Sequence, residues 1–231
     1  MKSKARLPLL KIRTWKACAM ISIAISAMLA ITAIGWSEGP PANKPSPEAA
    51  LQELLDGNKL YVADKNVRPD QRPSDAKQEP KAVILSCSDS RVSPTIMFDQ
   101  GIGSLFIIRT AGNTYSRLGL ESIEYAVKHL HTNLIIVLGH EQCGAVKAAV
   151  AEYPKPTDSV MIKNIYPAVA ATKGDPGDPV LNAVDKNAEL VAERMSKDPK
   201  FAPLIASGEL KIVPACYHLG NGSVTLLPEE R

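Results

Sequence analysis

The chain has 231 residues, 45% of them hydrophobic and 22% charged, with 14 glycines and 18 prolines; this ordinary globular composition has room for one domain with a substantial core and excludes disorder, collagen and a multidomain array. Four cysteines are too few for a disulfide scaffold of this length, so each is considered for its chemistry. The formal charge of +3 is unevenly spread: residues 1–37 hold six basic side chains (Lys2, Lys4, Arg6, Lys11, Arg13, Lys16) and no acid, which leaves 21 basic against 24 acidic residues from 38 onward, a mildly acidic remainder with no general attraction to nucleic acid.

The basic run leads into Ala17 to Trp36, an uncharged stretch of 20 residues rich in small and aliphatic side chains. It reads as a signal peptide or as a retained anchor, because a signal core takes ~7–15 apolar residues and a spanning helix about 20. Gly35 and Ser37 offer small residues for cleavage before Glu38. Either alternative puts the remaining chain outside the cytoplasm, in the periplasm, with membrane contact only through residues 17–36 if they are kept. Residues 38–47 form a Pro-rich linker, and 48–231 are expected to be a single domain.

That domain opens on a helix with Ser46 as N-cap, Pro47 in its first turn and Leu51, Leu54 and Leu55 on one face. Asp64 to Pro80 is polar and Pro-bearing, hence loop. Lys81–Cys87, Leu105–Ile108 and Leu134–Leu138 are short apolar runs of the kind that form buried strands, and Ser116–Leu130 between them has helical spacing at Ile123, Ala126, Val127 and Leu130. Cys143–Ala151 reads as helix, the following stretch as Pro-broken, and Leu181, Val184, Ala188, Val191 and Met195 as one long amphipathic helix. Leu210–Tyr217 and Ser223–Leu227 flank Gly220-Asn221-Gly222, a hairpin signal. The fold class is therefore α/β, a mainly parallel central sheet flanked by helices with an antiparallel C-terminal strand addition.

Ligands of parallel sheets sit past the carboxyl ends of strands. Two such ends carry chemistry: Cys87-Ser88-Asp89-Ser90-Arg91 after the first strand, and Gly139-His140-Glu141-Gln142-Cys143 after the third. Either cysteine alone reads as a small packed apolar residue. Together with His140 on one rim they read as a Cys2His catalytic zinc arrangement with an open fourth position, and the helix that Cys143 opens favours its thiolate. A cysteine phosphatase loop needs five residues between Cys and Arg, and here there are three. Cys216 and His218 alternate on a late strand; two ligands do not make a second metal site, and strand packing is the expectation. His129 and His131 at a helix end read as meeting its C-terminal dipole.

Cys87-Ser-Asp-Ser-Arg91 with His140-x-x-Cys143 resembles the β-class carbonic anhydrases, and the resemblance extends through Asp56-Gly-Asn58, Gln78-x-Pro80, Phe106-x-x-Arg109-x-Ala111-Gly-Asn113 and Ser122-x-Glu124-Tyr125-Ala126. It implies a zinc enzyme with one Zn2+ per chain, hydrating CO2 reversibly to bicarbonate and a proton by zinc-bound hydroxide, in a homodimer or a higher assembly of dimers with active sites at the subunit interface. It gives Cys87, His140 and Cys143 the metal, Asp89 and Arg91 the catalytic dyad, and Gln78, Phe106 and Tyr125 the CO2 pocket, some of them reaching the neighbouring subunit's site. Members with an allosteric bicarbonate pocket resemble one another in a Trp three residues before the first cysteine; Ile84 stands there, which implies an Asp89 that stays with Arg91. A hydrolase acting on CS2 or COS with the same fold, and a noncatalytic zinc-binding protein, are the alternatives.

Overall fold

The computed structural model describes residues 44–65 and 77–228. The expected export segment, most of the linker and the middle of the Asp64–Pro80 loop lie outside them. Among the described residues no helix is long and apolar enough to cross a membrane.

Five strands form one sheet in the order β2-β1-β3-β4-β5. β1 (Ala82–Cys87), β2 (Leu105–Thr110), β3 (Leu134–His140) and β4 (Lys211–Tyr217) run parallel, and β5 (Val224–Leu226) returns antiparallel on β4. Helices cover both faces, as side chains buried on both sides of β1 and β3 require. On one face Val83, Leu85, Ile135, Val137 and Ile212 pack against α3 (Arg117–His129) and α6 (Pro179–Ser196). On the other, Ile84, Ile136, Leu138 and Val213 meet Leu51 and Leu54 of α1 (Pro47–Val62) and Met97 of the short α2 (Pro94–Met97). Each such side chain taken from water contributes about 1.5–3 kcal/mol, which is what holds the strand ends in register.

α1 begins where its sequence signals place it, with Ser46 Oγ accepting from Ala49 N–H at 3.2 Å and Pro47 at the first helical position. The Asp56-Gly57-Asn58 motif is explained by packing. A Cβ on Gly57 would stand 2.0 Å from the Phe98 carbonyl oxygen, so only glycine lets the chain after α2 approach the helix so closely. Buried Asn58 then donates to the carbonyls of Met97 and Gly222 and accepts from Val224 N–H, all at 2.9–3.0 Å.

The Pro-broken stretch after α4 (Gly144–Glu152) departs from expectation, since it contains α5 (Val160–Ala171) with Pro167 inside it. The helix tolerates the lost N–H because Ser159 caps its start and Ile162, Ile165, Ala168 and Val169 bury against neighbouring helices, which outweighs one missing bond. The short α2 and α7 (Ala202–Ala206) are likewise absent from the sequence pattern.

Candidate active site

β1 and β3 are neighbours, so their carboxyl ends deliver Cys87 and His140 side by side. Cys143 takes the N-cap position of α4, three residues further on, and its thiol does not cap the helix. The ligand atoms of Cys87, His140 and Cys143 all lie within 4.8 Å of one another, with the two sulfurs 3.9 Å apart, buried and not joined in a disulfide. His140 is wholly buried; its Nδ1 lies 2.8 Å from the Glu141 carbonyl, which fixes the proton there, and Nε2 is left as a lone pair with no hydrogen-bond partner.

The two thiols are electrostatically unequal. Cys87 is held well below its usual range, chiefly by the hydrogen bond from Cys143 and, against the cost of burial, by the N–H groups of Gly112 and Asp89. Cys143 is pushed up by Cys87 beside it and by burial. One negative charge is thus stable in the pair and a second is not, unless a cation shares the space. Two sulfurs that need a cation, together with a buried imidazole lone pair that lacks a donor, fit a Cys2His metal site on chemistry the chain itself displays.

Asp89 lies at the rim of this cluster, Oδ2 being 3.9 Å from His140 Nε2. Arg91 grips it with Nε on Oδ1 at 3.0 Å, a terminal nitrogen on Oδ2 at 2.8 Å and its backbone N–H on Oδ1 at 2.9 Å. This fork keeps the Asp89 carboxyl well below the usual carboxylate range, the Arg91 hydrogen bonds being the largest cause. Asp89 is therefore an ionised acceptor, held beside the metal ligands and directed by the guanidinium.

Other residues brace the centre. Arg109 at the end of β2 donates to the carbonyls of Cys87 and Asp89, at 3.1 and 2.5 Å, tying down the loop that carries both. Gly112, in the 3-10 turn Ala111–Asn113, directs its N–H to Cys87 Sγ at 3.3 Å. Glu141 accepts from His218 Nδ1 at 2.8 Å, anchoring the peptide whose carbonyl orients His140. The spacing argument missed these roles, although Arg109 and Gly112 stand inside the motif carried by β2.

Cys87, His140, Cys143, Asp89 and Arg91 thus come together, and Gln78, Phe106 and Tyr125 do not join them within one chain. Phe106 pairs in register with Val83, four residues before Cys87, and so stands about 13 Å back along the strand. Its ring lies 6.4 Å from that of Tyr125, which is 43% exposed and stacks on His129 at 5.2 Å. Gln78 is exposed ahead of β1. Cys216 and His218 form no metal group: among the described residues the Cys87, His140 and Cys143 cluster alone has three suitable ligands.

Fold and site together define an α/β protein with a three-ligand cysteine and histidine centre and an arginine-held carboxylate at its strand ends. The sequence model of the family described as carbonic anhydrase matches residues 82–224. Carbonic anhydrase 2 of Mycobacterium tuberculosis is 38% identical over 196 residues, which is 78% of this chain and 93% of the relative. Among solved structures, a β-carbonic anhydrase of Coccomyxa superposes with a TM-score of 0.59 at 22% identity, covering 94% of this chain and 87% of that one. A tetrameric β-carbonic anhydrase of Sordaria macrospora also has a TM-score of 0.59, at 20% identity over 90% of this chain and 97% of its own. The chain belongs to the β-class carbonic anhydrase family.

Proposed function

We propose that the protein is a zinc-dependent carbonic anhydrase that interconverts CO2 and bicarbonate, with Cys87, His140 and Cys143 holding one zinc ion per chain. The observation that carries this reading is the buried convergence of two sulfurs and an imidazole lone pair beside a carboxylate held by Arg91. When bound, zinc supplies the Lewis acid that makes a water molecule nucleophilic near neutral pH. Asp89 Oδ2 is placed to accept a hydrogen bond from that nucleophile and so turn a lone pair toward CO2. Arg91 keeps the carboxylate in that role and off the metal, because a planar fork holds both of its oxygens at once. Arg109 fixes the loop so that Cys87 and Asp89 keep their separation.

The CO2-facing apolar wall is completed by a second copy of the chain. β2 is an edge strand, and beside it Phe106 and Tyr125 form an aromatic pair remote from their own Cys87, with Ile102 and Leu118 exposed nearby in sequence. These features favour Phe106, Tyr125 and Gln78 serving a neighbouring subunit, in a homodimer or an assembly of dimers. The protein acts outside the cytoplasm, in the periplasm, either released from or anchored by residues 17–36; the support is the acid-free basic segment followed by 20 uncharged residues.

The test is to purify the full chain, count zinc per chain and measure CO2 hydration. One zinc and rapid hydration are expected, and turnover of CS2 or COS without turnover of CO2 would overturn the substrate. A reporter that works only outside the cytoplasm, fused after residue 37, should be active; a silent reporter removes the export reading.

A further inference from the structure

The sheet-facing side of α6 is apolar at Ala183, Val184, Ala188, Val191, Ala192 and Met195, and an amide interrupts it at Asn187, which is 2% exposed. A buried amide needs partners. Asn187 Nδ2 donates to the Gly112 carbonyl at 3.0 Å, and Gly112 N–H is the group directed at Cys87 Sγ. Gly112 has φ +68, and a Cβ there would stand 2.9 Å from Ile165 Cδ1 and 3.2 Å from Ala145 Cβ. Gly112 is therefore enclosed by α4 and α5 at its sides and gripped by α6 at its carbonyl, one residue's backbone carrying both contacts. Nothing about Asn187 is needed to close the sheet, because the aliphatic residues around it already do so.

We propose that Asn187 is a positioning residue for the metal centre: by holding the Gly112 carbonyl it keeps Gly112 N–H on the Cys87 sulfur. An N–H donor on a thiolate withdraws electron density that the sulfur otherwise gives to its metal. Two thiolates cancel the formal charge of a bound zinc ion, so a donor on one of them restores part of its Lewis acidity. The role rests on the proposed zinc site, and it is specific to one of the two cysteines.

The test uses the full chain loaded with cadmium-113 or cobalt(II) in place of zinc. In the unmodified protein the Gly112 amide proton should show scalar coupling to cadmium through the sulfur, and absence of that coupling overturns the proposal without recourse to any variant. Asn187→Leu keeps the volume and removes the donor; Asn187→Ala removes the donor with a void and serves if the leucine variant fails to fold. Either should move the thiolate-to-cobalt charge-transfer band to lower energy, because the sulfur donates more, and weaken zinc binding about tenfold in competition with a chelator, because Cys87 is no longer held in place for the metal. Val191→Ala, on the same helix but in the apolar cluster that holds none of the three ligands, should lower stability and leave the band in place. A band unmoved in the Asn187 variants, or moved equally by Val191→Ala, sinks the assignment. Failure of the unmodified protein to bind zinc, cobalt or cadmium at all is instead the failure of the zinc reading.

Discussion

Two groups of cysteine, histidine and acid sit on adjacent strand ends, and they behave differently. In the first, Cys87, His140 and Cys143 bring two sulfurs and an unpartnered imidazole nitrogen to one point. In the second, one strand over, Cys216 pairs in register with Gly139 and has its thiol pushed up by burial and by the Asp185 carboxylate. His218 has both ring nitrogens occupied, Nδ1 by Glu141 and Nε2 by Thr225 at 3.0 Å. Residue types are similar in the two groups; among the described residues only the first brings three ligand atoms to one point, although Asp185 Oδ1 in the second also lacks a partner. A metal centre is thus recognised by ligand atoms that converge on one point, whereas a structural cluster spreads the same residue types over separate partners.

The largest test of this contrast exchanges the cysteines. Cys87→Ser or Cys143→Ser should abolish zinc content and CO2 hydration together, because a neutral hydroxyl is a poor zinc ligand; full zinc in either variant, measured by elemental analysis, would undo the distinction. Next in size, Arg91→Ala should lower hydration about 10- to 100-fold at neutral pH, since Asp89 is then free to turn toward the ligand cluster 3.9 Å away. Arg91→Lys should recover part of that loss, because a point charge lacks the two-pronged grip.

A smaller effect appears in acid. The Asp89 carboxyl is depressed in the folded state, so the stability it adds is present in full above its unfolded pKa of about 3.9 and is lost as pH falls toward the folded value. In the zinc-free protein, denaturant unfolding should show a gap between the unmodified chain and Arg91→Ala that is constant from pH 7 to about 5 and narrows below about 4. A gap that widens in acid would mean that Arg91 stabilises through something other than Asp89. The smallest effect belongs to the second cluster: Cys216→Ser should cost about 1 kcal/mol in unfolding free energy and leave one zinc per chain.

Strand ends and caps were readable from the sequence because local pattern decides them. β1 and β3 are apolar runs that lead into Cys87 and His140, and Ser46 caps α1 with its hydroxyl as its place before Pro47 implies. The five residues that meet at the rim were readable for the same reason, since parallel strands bring their carboxyl ends together. α5 was not, because Pro167 is a local breaker overruled by tertiary packing. Nor was the distance between Phe106 and Cys87: a motif records that both residues are needed and is silent on whether one chain or two supplies them. Asn187 left one trace, a polar residue in register with Val184 and Val191 on an otherwise apolar stripe.

Asn58 has a consequence for how the molecule is made. Its amide joins the helix that begins the domain to Gly222 and Val224, 164 and 166 residues later in the chain. α1 can dock on Met97 and on β1 and β3 earlier, but its clasp through Asn58 is complete only once the C-terminal hairpin exists. Long-range closure of this kind slows folding and prolongs the exposure of apolar surface. Synthesis from the N-terminus thus yields an incomplete clasp until Gly222 and Val224, which help to fasten α1, have been added.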